Sequence, residues 1–291
     1  MKVKMVMPIM LFVLMTTTYG QDNSKNSANK PSEMKETVKN YFMQLYSLDY
    51  EKAMNKNLAK NYVEHQETAD FSAVGLKEFI KKRVKKYPDL KIIIHRIIEQ
   101  DNYIFLHVEE KISEKLTFVH GELFRIENSL IVEHWSAIQK HPKKLKSGRR
   151  MYDGQGIDYS KNSGLQYAEL TKQSYLDAFT LSVDQAVKVI DETTTNRYYQ
   201  HNPSVVDGKE AFMKAPATLN KISKIGLKTT LDIKMTISEG DYVVTFAYFR
   251  LPLIAGNSVL FDLFRLKDDG KKDEHWDVGE KFKKKNMDKV F

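Results

Sequence analysis

Histidine and acidic side chains, which often act as general acids and bases in enzymes, occur at matching places in the two halves of this sequence. The tripeptide Glu-His-Trp stands at residues 133–135 and again at 274–276. Asp277 follows the second copy, and because side chains alternate along a strand, His275 and Asp277 would share one face. Burial raises the pKa of a carboxyl group toward neutral pH, which suits it to remove a proton from a bound molecule.

Two further motifs recur in the same order. They are Tyr-Val-Glu-His at 62–65, repeated as Tyr-Tyr-Gln-His at 198–201, and Glu-Leu-Phe-Arg-Ile at 122–126, repeated as Asp-Leu-Phe-Arg-Leu at 262–266. The copies are 136 residues apart at His65 and His201, and 141 apart at His134 and His275. This period is too long for a solenoid repeat and is the size of a whole domain. The sequence therefore predicts two tandem copies of one fold.

Each half is predicted to form three helices followed by about four strands. Apolar residues at helical spacing predict helices over 32–46, 50–63, 76–87, 167–180, 182–198 and 209–220. Alternating β-branched and aromatic residues predict strands over 92–99, 103–112, 117–126, 130–138, 227–238, 242–250, 259–267 and 275–282. Helices followed by an antiparallel sheet define the α+β class, with the helices packed on one face of the sheet. A strongly curved sheet would enclose a cone-shaped, mostly apolar cavity, where small ligands bind.

The same reading divides the chain into segments. They are a signal peptide (1–20), a disordered leader (21–32), a first domain (33–142), a basic linker (143–165), a second domain (166–283) and a basic tail (284–291). The linker and the tail carry much of the formal net charge of +8. We expect both to be solvated, with weak attraction to anionic surfaces as the alternative.

The first twenty residues indicate export. Lys2 and Lys4 precede an apolar run over 6–15, and Thr18 and Gly20 place small residues before a cleavage site at Gln21. We expect a secreted or periplasmic protein with no stable membrane insertion after cleavage, and an uncleaved anchor is the alternative. The chain has no cysteine, which excludes disulfides and thiolate chemistry.

Several segments of the second half resemble the SnoaL-like polyketide cyclase family of the nuclear-transport-factor-2-like superfamily. The resemblance is carried by residues 201–203, 207–212, 239–244, 262–265 and 274–278, and more loosely in the first half by 62–65, 75–79, 122–126 and 133–139. It implies a curved sheet wrapped by helices, and an acidic side chain that removes a proton next to a ketone without metal or cofactor. It also implies pairing through the outer faces of the sheets, here as a pseudo-dimer within one chain.

The resemblance assigns the base to Asp262, with His275 and Asp277 as further catalytic residues. The residues expected to contact a small apolar ligand are His201, Asn202 and Trp276 in the second half, and His65, His107, Glu122 and His134 in the first. Each has an architectural alternative. Asp262 could pair with an arginine or an amide, the 201–203 turn could only fix a loop, and the histidines and tryptophans could belong to the framework.

The two copies differ in the polar residues that would do chemistry. The first half has Glu122 for Asp262 and Ser136 for Asp277, while the second half has Phe246 where the first has His107. This divergence predicts at most one working site, in the second half, or two pockets of different character. No histidine pair has metal-ligand spacing, so no metal is expected, and no nucleic-acid motif is present. Two hypotheses remain, an acid–base enzyme and a non-catalytic module that binds a ligand or a protein.

Overall fold

The computed structural model describes residues 32–252 and 256–291, so the predicted signal peptide and nearly all of the leader lie outside the described residues. The first half contains α1 (Glu33–Leu45), α2 (Tyr50–Asn57), β1 (Leu58–Glu64), α3 (Ala73–Lys86), β2 (Lys91–Gln100), β3 (Tyr103–Ser113), β4 (Leu116–Glu127) and β5 (Leu130–Lys140). The second contains α4 (Ser163–Thr180), α5 (Val183–Thr193), β6 (Thr194–Gln200), α6 (Lys209–Phe212), α7 (Ala215–Lys224), β7 (Thr230–Glu239), β8 (Tyr242–Leu251), β9 (Gly256–Leu266) and β10 (Lys272–Lys281), followed by α8 (Met287–Val290). None of the described helices is long and apolar enough to span a membrane.

The predicted α+β class is confirmed, with one sheet in each half and the same strand order in both. The orders are β1-β5-β4-β3-β2 and β6-β10-β9-β8-β7. Each sheet has five strands rather than the four predicted, because β1 and β6 pair in parallel with the last strand of their half. The prediction that the second helix of each half runs to Val63 or Tyr198 is therefore wrong. The helices end at Asn57 and Thr193, since pairing with a distant strand overrides the local helical pattern.

A second difference concerns the third helix of the second half. The predicted single helix over 209–220 is two helices, α6 and α7, and α7 continues to Lys224. Pro216 lies in the first turn of α7, where its missing N–H costs no hydrogen bond. The break is therefore consistent with the rule that proline begins a helix more readily than it continues one.

The helices of each half cover the inner face of their own sheet. In the first half Phe42, Leu76 and Phe124 belong to one buried cluster, and in the second half Tyr175 and Phe264 belong to another. We call the interior between α1–α3 and the first sheet cone 1, and the interior between α4–α7 and the second sheet cone 2. Side chains alternate along each strand, so neighbouring residues point alternately into a cone and away from it.

The outer faces of the two sheets share a third buried cluster. It contains Phe105, Leu123 and Trp135 from the first sheet and Phe246, Phe261 and Trp276 from the second. The rings of Phe105 and Phe261 are 5.3 Å apart between centroids. Large aromatic side chains bury much apolar area, so this contact is a main source of stability for the whole chain.

Hydrogen bonds between the sheets are reciprocal. Gln139 Oε1 accepts from the Gly279 amide at 2.9 Å, and Glu280 Oε2 accepts from the Ile138 amide at 2.8 Å. Glu280 is the counterpart of Gln139, and Gly279 is the counterpart of Ile138, at the spacing of 141 residues seen in the motifs. Mutual exchange of this kind is the pattern of a two-fold symmetric interface.

The segment between the halves is not the solvated spacer that its charge predicted. Met151 is fully buried in the shared cluster. Arg96, on β2, donates to the carbonyl oxygens of Tyr152 and Asp153 at 3.1 and 2.8 Å. The many lysine and arginine residues of this segment predicted exposure to solvent, but its apolar side chains, such as Met151, pack beside the sheets.

The prediction of a solvated tail is also wrong. Val290 is 1% exposed, and the Phe291 ring lies 5.9 Å from that of Tyr248 between centroids. Apolar residues at the end of the basic run therefore complete the shared cluster, while the lysines around them remain at the surface.

Gly121 allows a test of the sheet-to-sheet contact, because a Cβ atom there would lie 2.7 Å from the Phe261 ring. We expect Gly121→Ala to lower the free energy of unfolding by about 1–3 kcal/mol through overpacking. Urea denaturation of the purified chain measures this. Gly156→Ala is the control, since nothing lies within 4 Å of its added methyl group. Equal denaturation midpoints for the two variants would contradict the packing described.

Candidate functional site

Asp262 is the centre of a polar group inside cone 2. It is fully buried on β9, and its Oδ1 accepts hydrogen bonds from the Tyr175 hydroxyl at 2.9 Å and from His275 Nε2 at 3.1 Å. Its Oδ2 is buried and has no hydrogen-bond partner. A buried polar atom without a partner carries a free-energy cost, so this carboxylate oxygen is an exception that requires an explanation.

A second carboxyl group faces Asp262 from the neighbouring strand. Asp277 on β10 is paired in register with Asp262, and ligand atoms of Asp262, His275 and Asp277 lie within 4.8 Å of one another. Asn202 Nδ2 donates to Asp277 Oδ2. Burial raises the pKa of Asp277 to about 6, and the negative charge of Asp262 adds to that rise, while His275 and Asn202 oppose it.

His275 is held from two sides. Its Nδ1 lies 3.0 Å from Gln200 Oε1, and its ring packs on Phe264 with 4.9 Å between centroids. Gln200 is the last residue of β6, which reaches this position only because β6 pairs in parallel with β10. The sequence prediction placed His275, Asp277 and Asn202 with Asp262, and the structure brings these four residues together.

Two residues of this group, Tyr175 and Gln200, were missed from the sequence. Gln200 stands inside the repeated motif at the position of Glu64, so comparison of the copies offered a signal for it. Tyr175 lies on a helix without any motif. In cone 1, burial raises the pKa of Tyr41, and the charges of Glu64 and Glu122 add to that rise.

Cone 1 contains a network of alternating charges in place of a free carboxylate. The contacts run in order through Arg83, Glu110, His120, Glu122, His134, Glu64 and Tyr62. Glu122 uses both oxygens, at 2.8 Å from His120 Nδ1 and 2.7 Å from His134 Nε2. Three cations therefore face three carboxylates, and the predicted ligand residues Glu122 and His134 are occupied with each other.

These contacts move the pKa values of the network. Burial disfavours the charged imidazolium, but hydrogen bonds and attraction from the flanking carboxylates outweigh it and raise the pKa of His120 to about 9 and that of His134 to about 10. Burial likewise opposes ionisation of Glu110, yet His120 and Arg83 lower its pKa to about 2. His120, His134 and Glu110 are therefore charged at neutral pH.

Four of the residues predicted to contact a ligand lie away from the cones. His65 stacks on Trp135 with 4.5 Å between ring centroids, and His201 stacks on Trp276 at 4.6 Å. Trp276 also donates from Nε1 to the Asp153 carbonyl oxygen at 2.8 Å. Trp276 follows His275 on one strand, so the two side chains must point to opposite faces, and the placement of both in one cone was wrong.

His107 requires the same correction. It is fully buried on the outer face of β3, where its Nδ1 accepts from the Arg96 guanidinium at 3.0 Å. Burial and then the charge of Arg96 keep the pKa of His107 well below its usual value, so the ring is neutral. His107 therefore belongs to the contact between the halves, together with His65, His201 and Trp276.

Comparison with known proteins gives similarity to solved structures alone. No protein-family model matches the chain, and no curated protein matches it. AclR, a candidate hydroxylase from Streptomyces galilaeus, is 17% identical with a TM-score of 0.34 over 37% of this chain and 79% of its own. A candidate isomerase of the SnoaL-like family from Agrobacterium tumefaciens is 12% identical with a TM-score of 0.32 over 40% and 99%. A SnoaL-like protein of unknown function from Burkholderia thailandensis is 12% identical with a TM-score of 0.31 over 40% and 97%.

The charge network in cone 1 predicts a pH dependence of stability. The folded-state pKa of His134 is above its unfolded value near 6.5, so its contribution is complete below about pH 6.5 and is lost as the pH rises through about 10. We expect His134→Gln to lower the free energy of unfolding by about 3–5 kcal/mol near pH 6, because it leaves buried carboxylates without their partner. The gap between the wild-type chain and the variant should narrow from pH 7 to pH 10, as measured by urea denaturation. A gap that stays constant over this range would show that His134 is not charged in the folded chain.

Proposed function

We propose that cone 2 binds a small apolar molecule with a carbonyl group and removes a proton from the carbon next to that carbonyl. The single observation that carries this proposal is the free, buried Oδ2 of Asp262. An oxygen that accepts no hydrogen bond keeps its lone pairs available to take a proton from a bound molecule.

Each residue of the group has a role in this reaction. Tyr175 and His275 hold Asp262 Oδ1, which fixes the orientation of the carboxylate and leaves Oδ2 toward the ligand. The carbon–hydrogen bond breaks, the proton goes to Oδ2, and the electron pair moves onto the carbonyl oxygen to give an enolate. Asp277, on the adjacent strand, is the carboxyl group placed to donate a hydrogen bond or a proton to that oxygen. Return of the proton to the same or another carbon completes an isomerase, aldol or cyclase type of reaction.

A second candidate function is a non-catalytic binding module. The observation that favours it is cone 1, where the same scaffold uses its acidic and histidine side chains for internal pairing alone. In this case Asp262 and His275 would serve the architecture of cone 2, and the cone would bind an apolar ligand or a partner without turnover. The two candidates differ in whether Asp262 exchanges protons with a bound molecule.

Proton exchange in deuterated water separates these candidates. Cyclohexanone, 1-indanone and 2-tetralone serve as probes, and ¹H NMR follows loss of the signal next to the carbonyl. We expect the wild-type chain to accelerate exchange of at least one probe, and Asp262→Asn to lower the rate by about 100-fold or more. Ser136→Ala, at the position of Asp277 in the first half, is the matched control and should exchange at the wild-type rate.

Thermal unfolding of the chain with the same probes measures whether a probe binds even when no exchange is seen. Equal stabilisation of the wild-type chain and Asp262→Asn without exchange by either would favour the binding module. No stabilisation and no exchange with any probe would contradict the proposed carbonyl ligand.

We also propose that the chain is exported and loses residues 1–20. The positive and apolar residues of that segment support the proposal. Expression in a bacterial host, followed by N-terminal sequencing of the periplasmic fraction, should give a chain that begins at Gln21. Replacement of Val6 and Leu11 by aspartate should retain the full-length chain in the cytoplasm, because charges disrupt the apolar region. A chain that reaches the periplasm with Met1 intact would indicate an uncleaved anchor.

A further inference from the structure

We propose that Asp262, His275 and Asp277 bind one divalent transition-metal ion of the Zn²⁺ type, and that this ion blocks the proton-transfer site. The regulatory part of this inference rests on the proposed function, because the ion would bind the carboxylate whose Oδ2 acts as the base. The binding part rests on the geometry of the three side chains alone.

The donor set suits such an ion. Two carboxylate oxygens and one imidazole nitrogen are ordinary ligands of Zn²⁺, with a fourth position left for water. The three ligand atoms lie within 4.8 Å of one another, and those of His275 and Asp262 are already 3.1 Å apart. Bonds of about 2.0–2.2 Å require ligand atoms about 3.4 Å apart in a tetrahedral site. Asp277 is the least buried of the three, so rotation of its side chain can supply the remaining approach.

The hydrogen-bond partners of His275 match those of a metal-binding histidine. Gln200 Oε1 can only accept a hydrogen bond, so His275 Nδ1 carries a hydrogen. Nε2 faces Asp262 Oδ1 at 3.1 Å, and it would give up the hydrogen of this contact to bind an ion. A metal-binding histidine typically donates its other N–H to an oxygen acceptor in the way that His275 meets Gln200.

The unpartnered Oδ2 of Asp262 is a further possible donor atom in the same group. It is fully buried and has no hydrogen bond, although the other oxygen of the same carboxylate has two. Tyr175 restricts the rotation of Asp262, and Gln200 restricts that of His275, through hydrogen bonds to the two side chains. The ligands are therefore positioned by neighbours that do not themselves need to contact the ion.

Cone 1 shows what the same scaffold looks like without a metal site. His134 faces Glu64 with Nδ1 and Glu122 with Nε2, so both ring nitrogens have a carboxylate partner. Ser136 replaces the second carboxylate, which removes one ligand. Among the residues that the structure describes, the group in cone 2 is the one cluster of three such side chains with metal-binding spacing.

Isothermal titration calorimetry with ZnCl₂ tests the binding part. The purified chain is first treated with EDTA and then dialysed at pH 7. We expect one Zn²⁺ per chain, and at least tenfold weaker binding in Asp262→Asn and in His275→Gln. Ser136→Ala should bind as the wild-type chain does. Binding that is unchanged in Asp262→Asn and His275→Gln but lost in His95→Gln would place the ion at the partly exposed His95 and Glu109 pair and overturn the proposal.

Titration with Co²⁺ provides a second readout that does not depend on activity. A four-coordinate Co²⁺ site with carboxylate and imidazole ligands gives an intense visible absorption, which should appear in the wild-type chain and vanish in His275→Gln. Far-ultraviolet circular dichroism of each variant checks that the fold is retained. An unchanged Co²⁺ spectrum in a folded His275→Gln chain would also overturn the proposal.

The ketone exchange assay, repeated with and without Zn²⁺, separates this inference from the proposed function. Exchange that is rapid in the EDTA-treated chain and stops at one equivalent of Zn²⁺ supports both. If Zn²⁺ binds but no exchange occurs with or without it, the metal site is supported and the proposed function is contradicted. Exchange without any Zn²⁺ binding contradicts the metal site alone, and faster exchange with Zn²⁺ contradicts the blocking role.

Discussion

Each sheet of this chain has two faces, and its own helices cover only one of them. The other face of each sheet carries large aromatic side chains, and exposing them to water would cost free energy. Each half therefore depends on the other half to bury this face. Phe261 packs directly above Gly121, and the reciprocal bonds of Gln139 and Glu280 fix the alignment of the sheets. The rest of the structure is arranged around this contact.

The contact explains why several conspicuous side chains are not part of a cone. His65 and His201 lie just after β1 and β6, and both stack on the tryptophan of the neighbouring strand. Arg96 fills the space between the sheets and binds carbonyl oxygens of the connecting segment. The Arg96 guanidinium and the Trp276 N–H have hydrogen-bond partners at this contact, which is the usual condition for burial, whereas Nε2 of His65 and of His107 has none.

The buried charged groups of the two cones are compensated in different ways. Cone 1 alternates cations and carboxylates until every member has a partner, as at Glu122 and His134. In cone 2, Asp262 faces Asp277 and has one free oxygen. Such an arrangement costs stability unless a proton, a metal ion or a ligand completes it, and sites of this kind are where function is found.

The sequence by itself determined the α+β class, the two matching halves and eight of the strands, because hydrophobic period and motif order are local properties of the chain. It also placed His275 and Asp277 on a shared face, since they are two residues apart on one strand, while Asp262 was indicated by the resemblance to the SnoaL-like family. Only the tertiary structure decided that β1 and β6 are strands, that Tyr175 and Gln200 hold the group in cone 2, and that His107 and Trp276 belong to the contact between the sheets. These facts depend on pairing between residues far apart in the chain, and on which face of each sheet is covered by helices, and neither leaves a local pattern.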